Sequence, residues 1–132
     1  MKDQSRNVLN ANESFYEAMV SGNYGSMESL WSTSDDVVVI HPGWPPLHGR
    51  SAVMDSWRRI LVGDSTREIF CRNARCYLMD KTAFVVCSEC FPEGELVATN
   101  IFIEEGGSWK IVHHQGGPLQ MIAEDTSTET LH

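Results

Sequence analysis

The side chains with the most chemical capacity fall in the second half of the chain. Glu89 stands inside the apolar run Ala83 to Phe91, Asn100 inside the run Leu96 to Ile103, and His113 and His114 side by side near the end of the last such run. A carboxylate sunk among apolar neighbours has its pKa raised, and a histidine titrates near neutrality. Such a pair can move protons at a bound hydrophobic molecule. Asn100 adds a hydrogen-bond donor for a developing oxyanion. His41 ends the β-branched run Val37 to Ile40, just before a loop rich in proline and glycine, and is a further acid or base. Trp44, in that loop, suits a lid or rim, and Trp57 an apolar wall. The expected catalytic set is therefore Glu89, His41 and His114, with Asn100, Trp44, Trp57, Arg72 and His113 as ligand contacts.

Strand parity is what gathers these residues. A two-residue turn near Gly94 pairs odd positions of one strand with even positions of the next, placing Glu89 and Asn100 on one face. A three-residue turn at Glu105-Gly106-Gly107 adds Lys110, Val112 and His114 to that face. A two-residue turn at Asp80-Lys81 adds Arg72. A single bulge would exchange His114 for His113, so either histidine is open as the inward one. Plainer roles stand beside these: Glu89 as the structural ion-pair partner of Arg72, the inward histidine as a satisfied core residue, the tryptophans as packing.

The elements that would position the site read as follows. Val8, Ala11, Phe15, Ala18 and Met19 make a helical stripe over 7–21, closed by Gly22. A shorter helix starts near Ser26. Residues 37–40 form a strand, 41–49 an irregular loop, and 50–62 a third helix with Val53, Trp57, Ile60 and Leu61 on one side. Strands are expected at about 66–79, 82–92, 95–104 and 108–115, joined by hairpins. Three helices followed by an antiparallel meander make one α+β domain over 1–120. The polar tail 121–132 reads as disordered. The strands around Val85 and Phe102 are apolar on both faces, where a sheet with one wet face would alternate. A homodimer through the sheet is the expected cover.

Composition narrows the class. Over 132 residues the net charge is -8, which argues against nucleic acid, since phosphate binding needs a basic surface. No apolar run suffices to cross a bilayer and no signal peptide opens the chain, so a cytoplasmic protein is expected. Cys87-Ser-Glu-Cys90 has CxxC spacing, but residues three apart on a strand diverge, so core cysteines are the reading. No metal site and no cofactor are expected.

Several segments together resemble the nuclear-transport-factor-2-like, or SnoaL-like, superfamily, and small bacterial SnoaL-like proteins in particular. They are His41-Pro42-Gly43-Trp44, Leu47-His48-Gly49-Arg50, Val53 to Ile60, Thr99-Asn100-Ile101-Phe102 and Gly107 to His114. The last is also similar to the C-terminal strand of the association domain of calcium/calmodulin-dependent protein kinase II. The resemblance implies a cone-shaped fold in which helices and a strongly bent antiparallel sheet enclose a pocket. Where that kinase domain carries arginines, this chain has Glu89, Asn100 and Gly116, so its carboxylate-binding character is not implied here. Two functions stay open: a cofactor-independent acid–base enzyme (isomerase, dehydratase, cyclase or hydrolase) acting on a small hydrophobic substrate, or a non-catalytic ligand-binding or oligomerisation module.

Overall fold

The computed structural model describes residues 3–119; the expected tail, 121–132, lies outside the described residues. Three helices, α1 (Gln4–Ser21), α2 (Tyr24–Leu30) and α3 (Arg50–Val62), pack on one face of a six-stranded sheet. The strands are β1 (Val38–Ile40), β2 (Leu47–His48), β3 (Phe70–Met79), β4 (Thr82–Phe91), β5 (Gly94–Glu105) and β6 (Ser108–Pro118), in the order β2-β1-β6-β5-β4-β3. The last four form the expected antiparallel meander, and β1 joins it parallel to β6. This is an α+β cystatin-like fold, with a sheet that bends over the helices without closing.

Local chemistry sets the helix ends. Asp3 accepts from the Arg6 N–H at the start of α1, and Gly22, at φ 64°, closes it in the left-handed conformation that glycine adopts freely. The segment Leu47-His48-Gly49-Arg50 is structural. Asp35 accepts from the Arg50 N–H, and the Arg50 guanidinium donates to the carbonyls of Glu28, Trp31 and Ser32, tying α3 to the end of α2. The loop expected at 41–49 contains a short strand: Leu47 pairs with Val39 and His48 with Val38. Between helices and sheet lie Phe15, Met27, Phe102 and Ile111, fully buried, each worth roughly 1.5–3 kcal/mol of transfer free energy.

Two bulges decide which side chains face the helices. β5 and β6 are joined by a two-residue turn, Glu105 pairing with Ser108, and not by the expected three-residue one. Near the turn Phe102 therefore pairs with Ile111, and Trp109 and Ile111 point inward. Lys110 and Val112 belong to the outer face, against expectation. A bulge at Val112 then shifts the register by one, so that Asn100 pairs with His114 and Ile101 with His113. His114 is buried and inward, as parity suggested, but it arrives there through a shorter turn plus a bulge. The same ladder puts His113 on the outer face, so it is no ligand contact on the inner one.

The second bulge overturns the placement of Arg72. Met79 pairs with Thr82 as expected, but the register slips between Arg72 and Arg75, with Asn73 at φ 58°. Arg72 consequently pairs with Ser88 and is exposed on the outer face, while Cys71 takes the place opposite Glu89. The alternative in which Glu89 pairs with Arg72 falls with it.

Candidate active site

Glu89, Asn100 and His114 converge on the inner face, each no more than 3 % exposed. Two residues of α1, Asn12 and Tyr16, complete the group. They occupy the buried stripe of the helix at i+4 and i+8 from Val8. An asparagine set between apolar positions of a helical stripe is the signal that sequence reasoning passed over.

The hydrogen bonds are mutually determining. Tyr16 Oη donates to Glu89 Oε2 at 2.6 Å, a length typical of a bond to an anionic or strongly polarised oxygen. Asn100 Nδ2 donates to Asn12 Oδ1 at 2.8 Å and to Tyr16 Oη at 3.2 Å. This fixes the amide's orientation, so Asn100 Oδ1 faces His114 Nδ1 and must accept from it. The imidazole proton is thereby placed on Nδ1. The free lone pair of His114 Nε2 looks at Glu89 Oε2 across 3.8 Å, too far for a direct hydrogen bond. A donor set between them would reach both.

Burial pushes both groups toward their neutral forms. It raises the Glu89 carboxyl, partly offset by the Tyr16 hydrogen bond, and no lysine or arginine pairs with it among the described residues. His114 is lowered to about 3, first by burial and then by the neighbouring His41 and His113. Tyr16 is held well above the ordinary phenol value, again first by burial and then by Glu89. It therefore stays a hydrogen-bond donor and is no source of protons. A carboxyl group that holds its proton more tightly than usual thus faces a free imidazole nitrogen in a buried setting.

His41 lies on the other side of Trp57. Its ring meets that of Trp57 edge-on at 4.8 Å, and Trp57 stands 6.0 Å from the His114 ring. His41 Nε2 is 2.9 Å from Ser56 Oγ, and that hydroxyl donates to the Val53 carbonyl at 2.7 Å. The serine has one proton and it is engaged, so His41 Nε2 is the donor; the pair pins the 41–46 loop to α3 and is no nucleophilic dyad. Burial, then Arg59, lowers His41 to about 4. Trp44 is exposed and packs edge-on against His41, with the Arg59 guanidinium 5.8 Å above its ring. Trp57 is buried, and its indole N–H finds no acceptor among the described residues.

The large cavity is not where the sequence suggested. A cleft of about 760 Å³ runs between α1 and the start of β3, walled by Leu9, Val20, Ile69, Phe70 and Ala74, with Glu13 and Glu17 also lining it. Glu89, Asn100 and His114 do not line it. They meet it through Asn12 and Tyr16, which do, together with Cys71. On another side of Glu89 sits Gly116, where a Cβ would stand 3.2 Å from Oε1 and 3.7 Å from the ring of Pro42. The missing side chain keeps that oxygen uncrowded. Of the CxxC pair, Cys87 points inward and Cys90 to the opposite face, as strand geometry required; all four cysteines are free, and no cluster of metal-ligating side chains occurs among the described residues.

Known proteins resemble the chain over nearly its whole length. The profile of the SnoaL-like domain matches residues 8–120. A candidate dehydratase of the NTF2-like family from Streptomyces avermitilis superposes with a TM-score of 0.82 at 30% identity, covering 89% of this chain and 97% of that one. A candidate calcium/calmodulin-dependent protein kinase type II association domain from Thiobacillus denitrificans gives a TM-score of 0.74 at 27% identity, over 83% and 93% of the two chains. Among curated proteins, F-box protein SKIP8 of Arabidopsis thaliana is 24% identical over 117 residues, 87% of this chain; the match spans about half (51%) of that relative's length. With the fold, the order of its elements and the matched span in agreement, the chain belongs to the SnoaL-like domain family.

Proposed function

We propose that this protein is a cofactor-independent acid–base enzyme acting on a small, largely apolar molecule. The observation that supports this best is the facing pair of Glu89 Oε2 and His114 Nε2, 3.8 Å apart and fully buried. One is an acid whose pKa burial raises, the other a base whose tautomer is fixed by Asn100. Paired titratable groups with environments that separate their protonation states are what proton transfer needs. Tyr16, by turning its one hydrogen bond from Glu89 to the substrate, supplies a donor for an oxygen that gains charge, and the apolar cleft beside it accommodates the body of the substrate. A dehydratase or isomerase reaction suits this equipment, and the likeness to a candidate dehydratase at 30% identity is consistent with it.

The test is a turnover screen of small apolar ketones, hydroxy compounds and epoxides followed by proton NMR. For any compound consumed, Glu89→Gln is expected to lower kcat by about 10²–10⁴-fold, and Tyr16→Phe by about 10²-fold, with circular dichroism unchanged. Wild-type rates in Glu89→Gln would remove the enzyme reading. A second reading has one observation in its favour: Asn12 and Tyr16 already spend their hydrogen bonds internally, as a wall that binds without reacting would. It gains if compounds raise the Tm yet are never altered.

We also propose that a second copy of the chain covers the outer face of the sheet, in a protein of the cytoplasm. Phe84, Val86, Ile101, Ile103 and Val112 are only half-buried there, and Tyr77, Met79 and Val97 are exposed. An apolar surface of this extent is unusual on a monomer. Ile101→Asp is expected to convert a dimer to a monomer in sedimentation equilibrium; a wild-type chain that sediments as a monomer refutes the proposal.

A further inference from the structure

The cleft beside the buried group has a polar floor and an acidic mouth, and the facing Glu89–His114 pair accounts for neither. Helix α1 presents two neighbouring columns of side chains to it. Asn12 and Tyr16, one turn apart, are buried at the floor, while Glu13 and Glu17, also one turn apart, are exposed. The wall contributed by Ile69, Phe70, Cys71 and Ala74 adds no charge.

The floor holds a donor that is short of an acceptor. Asn12 is 2 % exposed, and its amide is oriented by Asn100, which donates to Oδ1 at 2.8 Å. Its Nδ2, with two N–H groups, is left on the side of Cys71. The one acceptor it meets among the described residues is that thiol sulfur, at 3.7 Å. Sulfur accepts weakly, and one atom does not satisfy both N–H groups. A buried donor without a proper partner costs free energy until something supplies an oxygen. Asn12 and Cys71 both line the cleft, so the oxygen that suits this donor belongs to whatever the cleft holds.

The mouth selects charge. Glu13 and Glu17 stand at i and i+4, where like charges repel one another along a helix. Neither forms a salt bridge among the described residues, and no lysine or arginine lines the cleft. A cation between the two carboxylates relieves their repulsion, and the net charge of -8 draws it in. An anion at the same place is repelled by both.

We propose, resting on the reading of this cleft as the substrate site, that its occupant is a small organic amine. Its carbonyl oxygen takes the spare N–H of Asn12, its apolar body lies against Leu9, Val20 and Ile69, and its ammonium group sits at the mouth beside Glu13 and Glu17. The oxygen then stands next to Tyr16, the donor that the proposed reaction turns toward it.

Para-acetylbenzylamine carries both polar groups on one apolar ring. Its matched partners are para-acetylbenzyl alcohol, which lacks the charge, para-acetylphenylacetate, which reverses it, and para-ethylbenzylamine, which lacks the oxygen. NMR titration of the native full chain at low salt is expected to show the acetyl amine binding about 3–10-fold more tightly than the alcohol, with the acetate weakest. Exchanging acetyl for ethyl is expected to weaken binding by about 3–10-fold, and only the acetyl compounds are expected to move the Asn12 side-chain amide resonances. In the double variant Glu13→Gln, Glu17→Gln, which leaves the buried hydrogen bonds untouched, amine and alcohol are expected to bind equally, the alcohol with its wild-type affinity. An acetyl amine that does not bind, or binds no more tightly than the alcohol, overturns the proposal. So does a preference for the amine that survives in the double variant, or an ethyl compound that binds as well as the acetyl one. These are equilibrium readings that need no turnover, and the rate of Glu89→Gln decides the enzyme reading separately.

Discussion

Asn100→Leu is expected to lower the stability of the fold by roughly 3–5 kcal/mol. The isosteric apolar side chain fills the space but silences both ends of the amide. Asn12 Oδ1 loses its donor, His114 Nδ1–H loses its acceptor, and Tyr16 Oη loses the donor it had in Asn100. Each buried polar group left unpaired costs about 1–3 kcal/mol, and all three lie where water does not compensate. For a domain of this length the Tm should fall by on the order of 10 °C or more. Asn100→Asp separates the contributions. It still accepts from His114 Nδ1 but cannot donate to Asn12 or Tyr16, and its charge would raise the His114 pKa. Urea denaturation of the three chains, with NMR titration of the imidazoles, reads both effects. A loss below about 1 kcal/mol in Asn100→Leu would show that the amide is not the node the geometry makes it.

The second large effect is the response to acid. His41 and His114 titrate at about 4 and about 3 in the folded chain, against about 6.5 when unfolded. Their folded values are depressed, so their contribution is intact above the unfolded value and is lost as pH falls below it, because only the unfolded chain takes up the protons. Glu89 has the opposite sign. Its folded value is raised, so the folded chain keeps a proton that the unfolded one has released, and this advantage disappears as pH rises through the folded value. In the window of about pH 5–6 the two histidines alone give a slope of about 2–2.5 kcal/mol per pH unit, and Glu89 opposes it wherever the folded chain keeps the proton that the unfolded one has released. Glu89→Gln is therefore expected to steepen the acid limb. His113, lowered by burial on the outer face, adds equally to both chains and drops out of the comparison. Urea midpoints taken at stepped pH decide the matter, and parallel limbs for wild type and Glu89→Gln would place the buried proton elsewhere.

The fold was legible where periodicity was strong and the ends were marked. Helix α3 starts and stops where the Val53–Leu61 stripe and Gly63 put it, and the four-strand meander follows its turn residues. Start points without an apolar residue were the weak ones: α1 begins at Gln4 and α2 at Tyr24, ahead of the stripes that revealed them. The convergence of Glu89 and Asn100 followed from parity, since their side chains must share a face once the β4–β5 turn is fixed, whereas His114 reached that face only because a shorter turn and a bulge offset one another. Arg72 was misplaced because it lies next to a bulge, a backbone event that leaves little trace in side-chain pattern, and Lys110 and Val112 because the turn before them has two residues and not three. Asn73 adopts a left-handed conformation that asparagine tolerates better than most residues, the one local hint. Tyr16 and Asn12 went unread because a search for polar groups on strands does not examine the buried stripe of a helix. The cleft depends on how far α1 stands from β3, a tertiary distance that no local pattern carries.

The bulge at Val112 has a bearing on how this family member can vary. Around it β6 spells the same property twice at neighbouring positions: Ile111 and Val112, His113 and His114, Gly116 and Gly117. These doublets are not interchangeable, because the interior uses Ile111 from the first pair, the second histidine from the next and Gly116 from the last. A slide by one residue in either direction would turn Lys110 and Gln115 inward, the penalty by which strands are held to one alignment. Trp109 reaching Gln4 at one end and Pro118 opposite Leu96 at the other hold the same alignment from outside. Removing Val112 alone should consequently keep Ile111, His114 and Gly116 inward on a strand that no longer needs its extra residue.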